Sequence, residues 1–237
     1  MKLGDRIERP EIIVCDWDGV MQLIEPKWMA GVISNRDVFE GYFKDEAFKD
    51  ITIDTIKDYI NRDTYYLNRY FKKDNVELNP EIENFFMRIY LEDEEFYDDI
   101  PLTHFGRSIL TLTIFDGIKE ITFLSHTPYK DKDDKRKERC LMKFMEENSL
   151  DISKVKFVSL NENEKKCEWI KKNKPEYTAF IDDRPDIVKS VIQNTETEGK
   201  TYMMPLFGYN DINKSDYFDE YTTPLTKFMV CNFENSF

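Results

Sequence analysis

The chain reads as an α/β protein built on a doubly wound parallel sheet with a helical insertion. Three observations point there. Short apolar runs alternate with helical stretches between about residues 119 and 207, the pattern of successive βαβ units. The first apolar run, Ile12-Ile13-Val14-Cys15, is continuous rather than alternating, as expected of a parallel strand covered on both faces. Between this run and the next, residues 37–98 hold no convincing strand and are rich in Tyr and Phe. The expected division is an α/β core of residues 1–24 and 103–237 and a helical cap of residues 25–102.

Taken in order, the first strand ends in Asp16-Trp17-Asp18-Gly19, and the glycine permits a sharp turn there. Residues 21–35, with Pro26, Trp28 and Gly31, read as a loop leaving the core. Ile53, Ile56, Ile60, Leu67 and Phe71 then recur at helical spacing. Asn79-Pro80-Glu81 is a helix start continued by Ile82, Phe85, Phe86 and Ile89, and an acidic stretch follows to Asp99. Most aromatics of this insertion are expected to be core, with a minority left to line a pocket. Residues 103–115 predict a helix ended by Asp116-Gly117. Ile121-Thr122-Phe123-Leu124 is the second strand, ending in Ser125-His126-Thr127-Pro128, and residues 130–148 form a charged helix with Leu141, Phe144 and Met145 on its apolar face. Residues 155–160 are the third strand, 164–172 a helix that opens with Lys165-Lys166, 177–181 the fourth strand, 187–192 a short helix and 201–207 the fifth strand. The tail beyond Asp211 has few strong signals.

Composition narrows the partners. The 237 residues carry 34 basic and 47 acidic side chains, a formal net charge of −13, which argues against extended nucleic-acid binding. A small anionic substrate stays compatible, because a local cation overrides the global sign. Cys15, Cys140, Cys167 and Cys231 lie far apart and form no metal-type pairs. The N-terminus lacks the apolar stretch of a signal peptide, and no run approaches a membrane span. The expectation is a soluble, cytoplasmic protein.

Three strand ends and one helix start carry polar residues of complementary kinds: Asp16 and Asp18, Ser125 with His126, the Lys165-Lys166 pair, and Asp182 with Asp183. In a parallel sheet these ends point the same way, and ligands bind at that edge. Two close carboxylates resist burial unless something positive neutralises them, and Mg²⁺ needs only one or two carboxylates plus substrate phosphate. Each element alone has a plainer account: an Asx turn, a helix cap, a solvated lysine pair. A calcium loop is disfavoured, since the preceding residues are strand-like and Lys27 stands at the twelfth position counted from Asp16. The conjunction in this order is what the plain accounts do not explain.

In these residues the chain resembles the haloacid dehalogenase-like hydrolase superfamily. Asp16-Trp17-Asp18-Gly19-Val20 matches its first motif, Ser125 its second, Lys166 or Lys165 its third and Asp182-Asp183 its fourth. The resemblance covers about residues 10–20 and 119–207, with the insertion where the C1-type cap of that superfamily sits. It implies a Mg²⁺-dependent phosphatase in which Asp16 attacks phosphorus to form an aspartyl-phosphate. Asp18 then acts as acid and base, and its presence separates phosphatases from dehalogenases in the superfamily. The resemblance also implies that the metal is held by Asp16, the Asp18 carbonyl, Asp182 and Asp183. The phosphoryl oxygens fall to Ser125, the amide of His126 and one of the two lysines, Lys166 being preferred because Trp169 and Ile170 follow it along one side of the helix.

The aromatic insertion and the Phe207-Gly208-Tyr209-Asn210 ending are similar to the 5′(3′)-deoxyribonucleotidase group, with Gly208 where that group carries proline. The resulting expectation is a 5′-nucleotidase acting on (deoxy)nucleoside monophosphates. The alternatives are a phosphatase for another small metabolite or for a nucleic-acid 3′-phosphate end, and a non-catalytic binding protein on the same fold.

Overall fold

The computed structural model describes residues 10–35, 80–127, 134–161, 163–206 and 227–232. The helical periodicity expected from Ile53 to Phe71, the Asn79 cap, Pro128 and the Phe207–Asn210 ending lie outside these residues. Six strands, β1 (Ile12–Cys15), β2 (Glu120–His126), β3 (Val155–Leu160), β4 (Ala179–Ile181), β5 (Thr201–Leu206) and β6 (Lys227–Asn232), form one sheet in the order β3-β2-β1-β4-β5-β6. Every neighbouring pair is parallel. The described helices are α1 (Glu25–Ser34), α2 (Pro80–Glu92), α3 (His104–Thr111), α4 (Arg136–Glu147), α5 (Lys166–Asn173) and α6 (Pro185–Asn194).

The uninterrupted apolar character of β1 has a direct structural cause. Ile13 and Cys15 pack on one face with Ile121, Phe123, Ala179, Ile181 and, from the helices, Ile109, Leu110, Leu141 and Met145. Val14 packs on the other with Leu124, Phe180, Cys167, Ile170, Val188 and Val191. Successive side chains of a strand point to opposite faces, so a strand with helices on both sides needs apolar residues at every position. α3 and α4 cover the first face, α5 and α6 the second. Tyr90, Phe96, Tyr97 and Ile100 join the same core as Trp17 and Phe123, so these four side chains belong to the core that covers the sheet. These aromatics fill core.

Two expectations are corrected. Residues 25–34, read as part of a loop because of Pro26 and Gly31, form α1. Pro26 falls in the first helical turn, where its missing N–H has no intrahelical partner to lose. Gly31 marks close packing: a Cβ there would stand 2.7 Å from Ile89 Cδ1 of α2. The tail, read as nearly featureless, contributes β6, which extends the sheet beside β5. Its apolar run Phe228-Met229-Val230-Cys231 is short, and pairing along the whole of β5 supplies the hydrogen bonds that pattern alone does not announce. Among the described residues no helix is long and apolar enough to cross a membrane.

Candidate active site

Register brings the site together. Cys15 pairs with Ile181 and Phe123, so β1 and β4 end level with each other at the centre of the sheet. The Asp16 amide continues the ladder by donating to the Ile181 carbonyl at 2.8 Å. Asp16 and Asp182 are thus the first residues past two adjacent parallel strands, both buried, with Asp183 buried next to them. Carboxylate oxygens of Asp16, Asp182 and Asp183 all lie within 4.8 Å of one another. This group could hold a metal ion: three hard oxygen donors from two strand ends, all buried.

Lys166, 3% exposed, reaches into the group from the first turn of α5. Its Nζ is 2.8 Å from Asp16 Oδ1 and 2.8 Å from Asp182 Oδ2. Burial works against the ammonium, but the two carboxylates outweigh it and hold the lysine firmly charged, with its pKa raised. Burial pushes the Asp182 carboxyl up to about 6 despite Lys166, with the Asp16 charge adding to the rise. A cation bound among these oxygens would favour their ionised forms. The Trp17 amide donates to Asp16 Oδ1 at 2.7 Å and the Arg184 amide to Asp182 Oδ1 at 3.0 Å, so backbone fixes both carboxylates.

Gly19 holds the turn over this group at φ +76°, a region that costs an L-residue about 1–2 kcal/mol. Space excludes a side chain as well: a Cβ would fall 2.5 Å from Asp183 Cγ. Gly19→Ala is therefore expected to lower stability by about 1–3 kcal/mol and to displace Asp183. Chemical denaturation checks the first effect. Loss of thermal stabilisation by added divalent cation checks the second.

Asp18 stands apart from the three-carboxylate group. Its Oδ2 accepts a hydrogen bond from Lys137 Nζ, while its Oδ1 is buried and accepts none from the described residues. Burial raises its pKa, Lys137 opposes the rise and the Asp16 charge adds to it. The same ammonium donates to Ser125 Oγ at 2.8 Å and to the His126 carbonyl at 3.0 Å. Ser125 is buried at the end of β2, so Asp18 and Ser125 are joined through one lysine.

Among the predicted residues, Asp16, Asp182, Asp183 and Lys166 meet in one cluster, and Asp18 and Ser125 meet beside it. Lys165 does not take part: its side chain is 70% exposed and 3.8 Å from Glu168. It is the residue before the first turn of α5, and helical phase turns it away from the face that carries Lys166. The His126 ring is also turned aside, its Nε2 donating to the Glu164 carbonyl at 2.8 Å. Trp17, between the two acids, is fully buried against Phe123 and Phe157, with its indole N–H donating to Gln22 at 2.8 Å.

Lys137 was missed by sequence reasoning, which saw a charged helix. A signal existed: Lys137, Leu141 and Met145 recur every four residues, which puts the lysine on the buried face of α4. The neighbouring Arg136 fastens that end of the helix. Its guanidinium lies 3.7 Å from the Tyr90 ring centroid and binds Asp134 and the Tyr90 carbonyl. Compared with protein-family models and with curated proteins, the chain matches none.

Proposed function

We propose that the protein is a Mg²⁺-dependent phosphomonoesterase that works through an aspartyl-phosphate, and that its substrates are small phosphate esters, foremost (deoxy)nucleoside 5′-monophosphates. The observation that carries this reading is the meeting of Asp16, Asp182, Asp183 and Lys166 at the ends of β1 and β4, with Asp18 and Ser125 bridged alongside. Asp16, Asp182 and Asp183 would hold the metal, which when bound supplies positive charge to the phosphoryl group. Asp16 Oδ2 is the oxygen left for attack, since Oδ1 receives Lys166 and the Trp17 amide. Lys166 offsets the negative charge that gathers on phosphorus. Ser125 binds a phosphoryl oxygen. Asp18 protonates the departing alkoxide and later takes a proton from the water that hydrolyses the intermediate; burial favours the protonated form that the first of these steps requires.

The nucleotide preference is supported by sequence alone: the aromatic-rich insertion and the ending after β5. A soluble cytoplasmic setting, a small phosphorylated partner and no membrane or extended nucleic-acid surface belong to the same proposal. A phosphate-release panel with Mg²⁺, spanning nucleotides, sugar phosphates and 3′-phosphorylated oligonucleotides, tests it. Nucleoside 5′-monophosphates are expected to be fastest, and excess chelator to abolish release. Comparable rates on sugar phosphates end the nucleotidase part. Activity that survives the chelator ends the metal part, and no release from any ester ends the phosphatase reading.

A further inference from the structure

Resting on that reading, we infer that Lys137 is the positioning residue of the acid–base carboxylate: it pins Asp18 beside the phosphate-binding Ser125 and is distinct in task from Lys166. Two buried lysines enter the site from different helices, α4 and α5. Lys166 touches Asp16 and Asp182. Lys137 touches neither; its contacts are Asp18 Oδ2, Ser125 Oγ and the His126 carbonyl. An ammonium has three N–H donors, and these three acceptors use them all. A ground-state phosphate ligand normally keeps a donor for its ligand, whereas a fully committed ammonium holds its partners in place.

The carboxylate it holds lacks the marks of a structural one. Buried structural carboxylates have both oxygens satisfied, but Asp18 Oδ1 is buried and has no hydrogen-bond partner among the described residues. Asp18 is tethered at one oxygen and left with an unused acceptor at the other, the arrangement of a group that exchanges a proton. The tether is rigid at its root. Lys137 is next to Arg136, which is locked by Asp134 and the Tyr90 ring, and its Nζ lies 5.3 Å from the Tyr97 ring centroid.

The test compares leaving groups. General acid catalysis contributes about 10²–10⁴-fold, and it matters for an alkoxide but little for an activated phenolate. Lys137→Met should lower kcat/KM, which reports phosphoryl transfer and not the later hydrolysis of the aspartyl-phosphate, about 100-fold on a nucleoside 5′-monophosphate and less than about fivefold on p-nitrophenyl phosphate. Lys137→Arg should recover most of the loss. An equal fall on both substrates means a merely structural lysine and overturns the inference. A rise in KM on both with kcat unchanged makes Lys137 a phosphate ligand and also overturns it. Should Lys137→Met fail to show a cooperative melt, the Asp18→Asn/Lys137→Met pair removes both charges together. That double variant should hydrolyse the nucleotide as fast as Asp18→Asn alone, and a further loss of about tenfold or more counts against positioning. Failure of the underlying reading is separate, because the unmodified protein then releases phosphate from neither substrate.

Discussion

Asp16→Asn is expected to reduce phosphate release by at least ~10³-fold while leaving the metal-free protein as stable as before or slightly more so. The two halves of this expectation have different causes. Activity falls because an amide oxygen is a poor nucleophile towards phosphorus and forms no stable acyl phosphate. Stability holds because the amide keeps an oxygen for the Trp17 N–H and for Lys166, which now lie 2.7 and 2.8 Å from Oδ1. One negative charge is also removed from a group of three buried carboxylates. Steady-state release of phosphate, acid-quench trapping of the phosphoenzyme and a thermal melt without metal read the three consequences. Near-normal rates in this variant point to another nucleophile. A clear drop in the metal-free melting temperature shows that the carboxylates are balanced without a cation.

Lys166→Met is expected to give the largest loss of stability. The ammonium is 3% exposed and bridges two buried carboxylates. Removing one partner of a buried ion pair costs about 3–5 kcal/mol, because the opposite charge stays behind in a low-dielectric setting. At roughly 2–4 °C per kcal/mol for a chain of this size, the melting temperature should fall by about 10 °C. A divalent cation replaces part of the missing charge, so saturating Mg²⁺ should recover several degrees in this variant. Lys165→Met is the matched control. Its exposed side chain and 3.8 Å contact with Glu168 predict a change within about 0.5 kcal/mol. Equal effects for the two lysines would show that the cluster does not depend on the ammonium.

Much of the architecture was legible because burial leaves a pattern in the chain. A continuous run such as Ile12–Cys15 is the trace of helices on both faces, and the alternation of strands and helices fixed a parallel sheet. The acidic cluster was legible for the same reason. Once the strands are parallel and adjacent, residues placed just after Cys15 and Ile181 must share an edge. Legibility failed where a residue type has two uses. Pro26 and Gly31 announced a loop, yet one opens a helix and the other lets α1 approach Ile89. Trp17 lies between the two acids of the first strand end, yet its ring belongs to the core. The helix after β2 carries the expected apolar face of Leu141 and Met145, but charge dominates its composition, and the place of Lys137 on that buried face was overlooked.

By itself, the sequence determined which polar groups stand at the element ends: acids after β1 and β4, a serine after β2 and a lysine opening α5, each tied to a local pattern of a few residues. Tertiary structure alone decided how they are wired. The bond between Lys137 and Asp18 spans 119 residues, and the choice of Lys166 over Lys165 depends on how α5 is rotated against the sheet. Both are matters of side-chain direction after packing. A strand or helix signal specifies the path of the backbone, but the partner of a buried charge is set by which faces the completed core brings within about 3 Å.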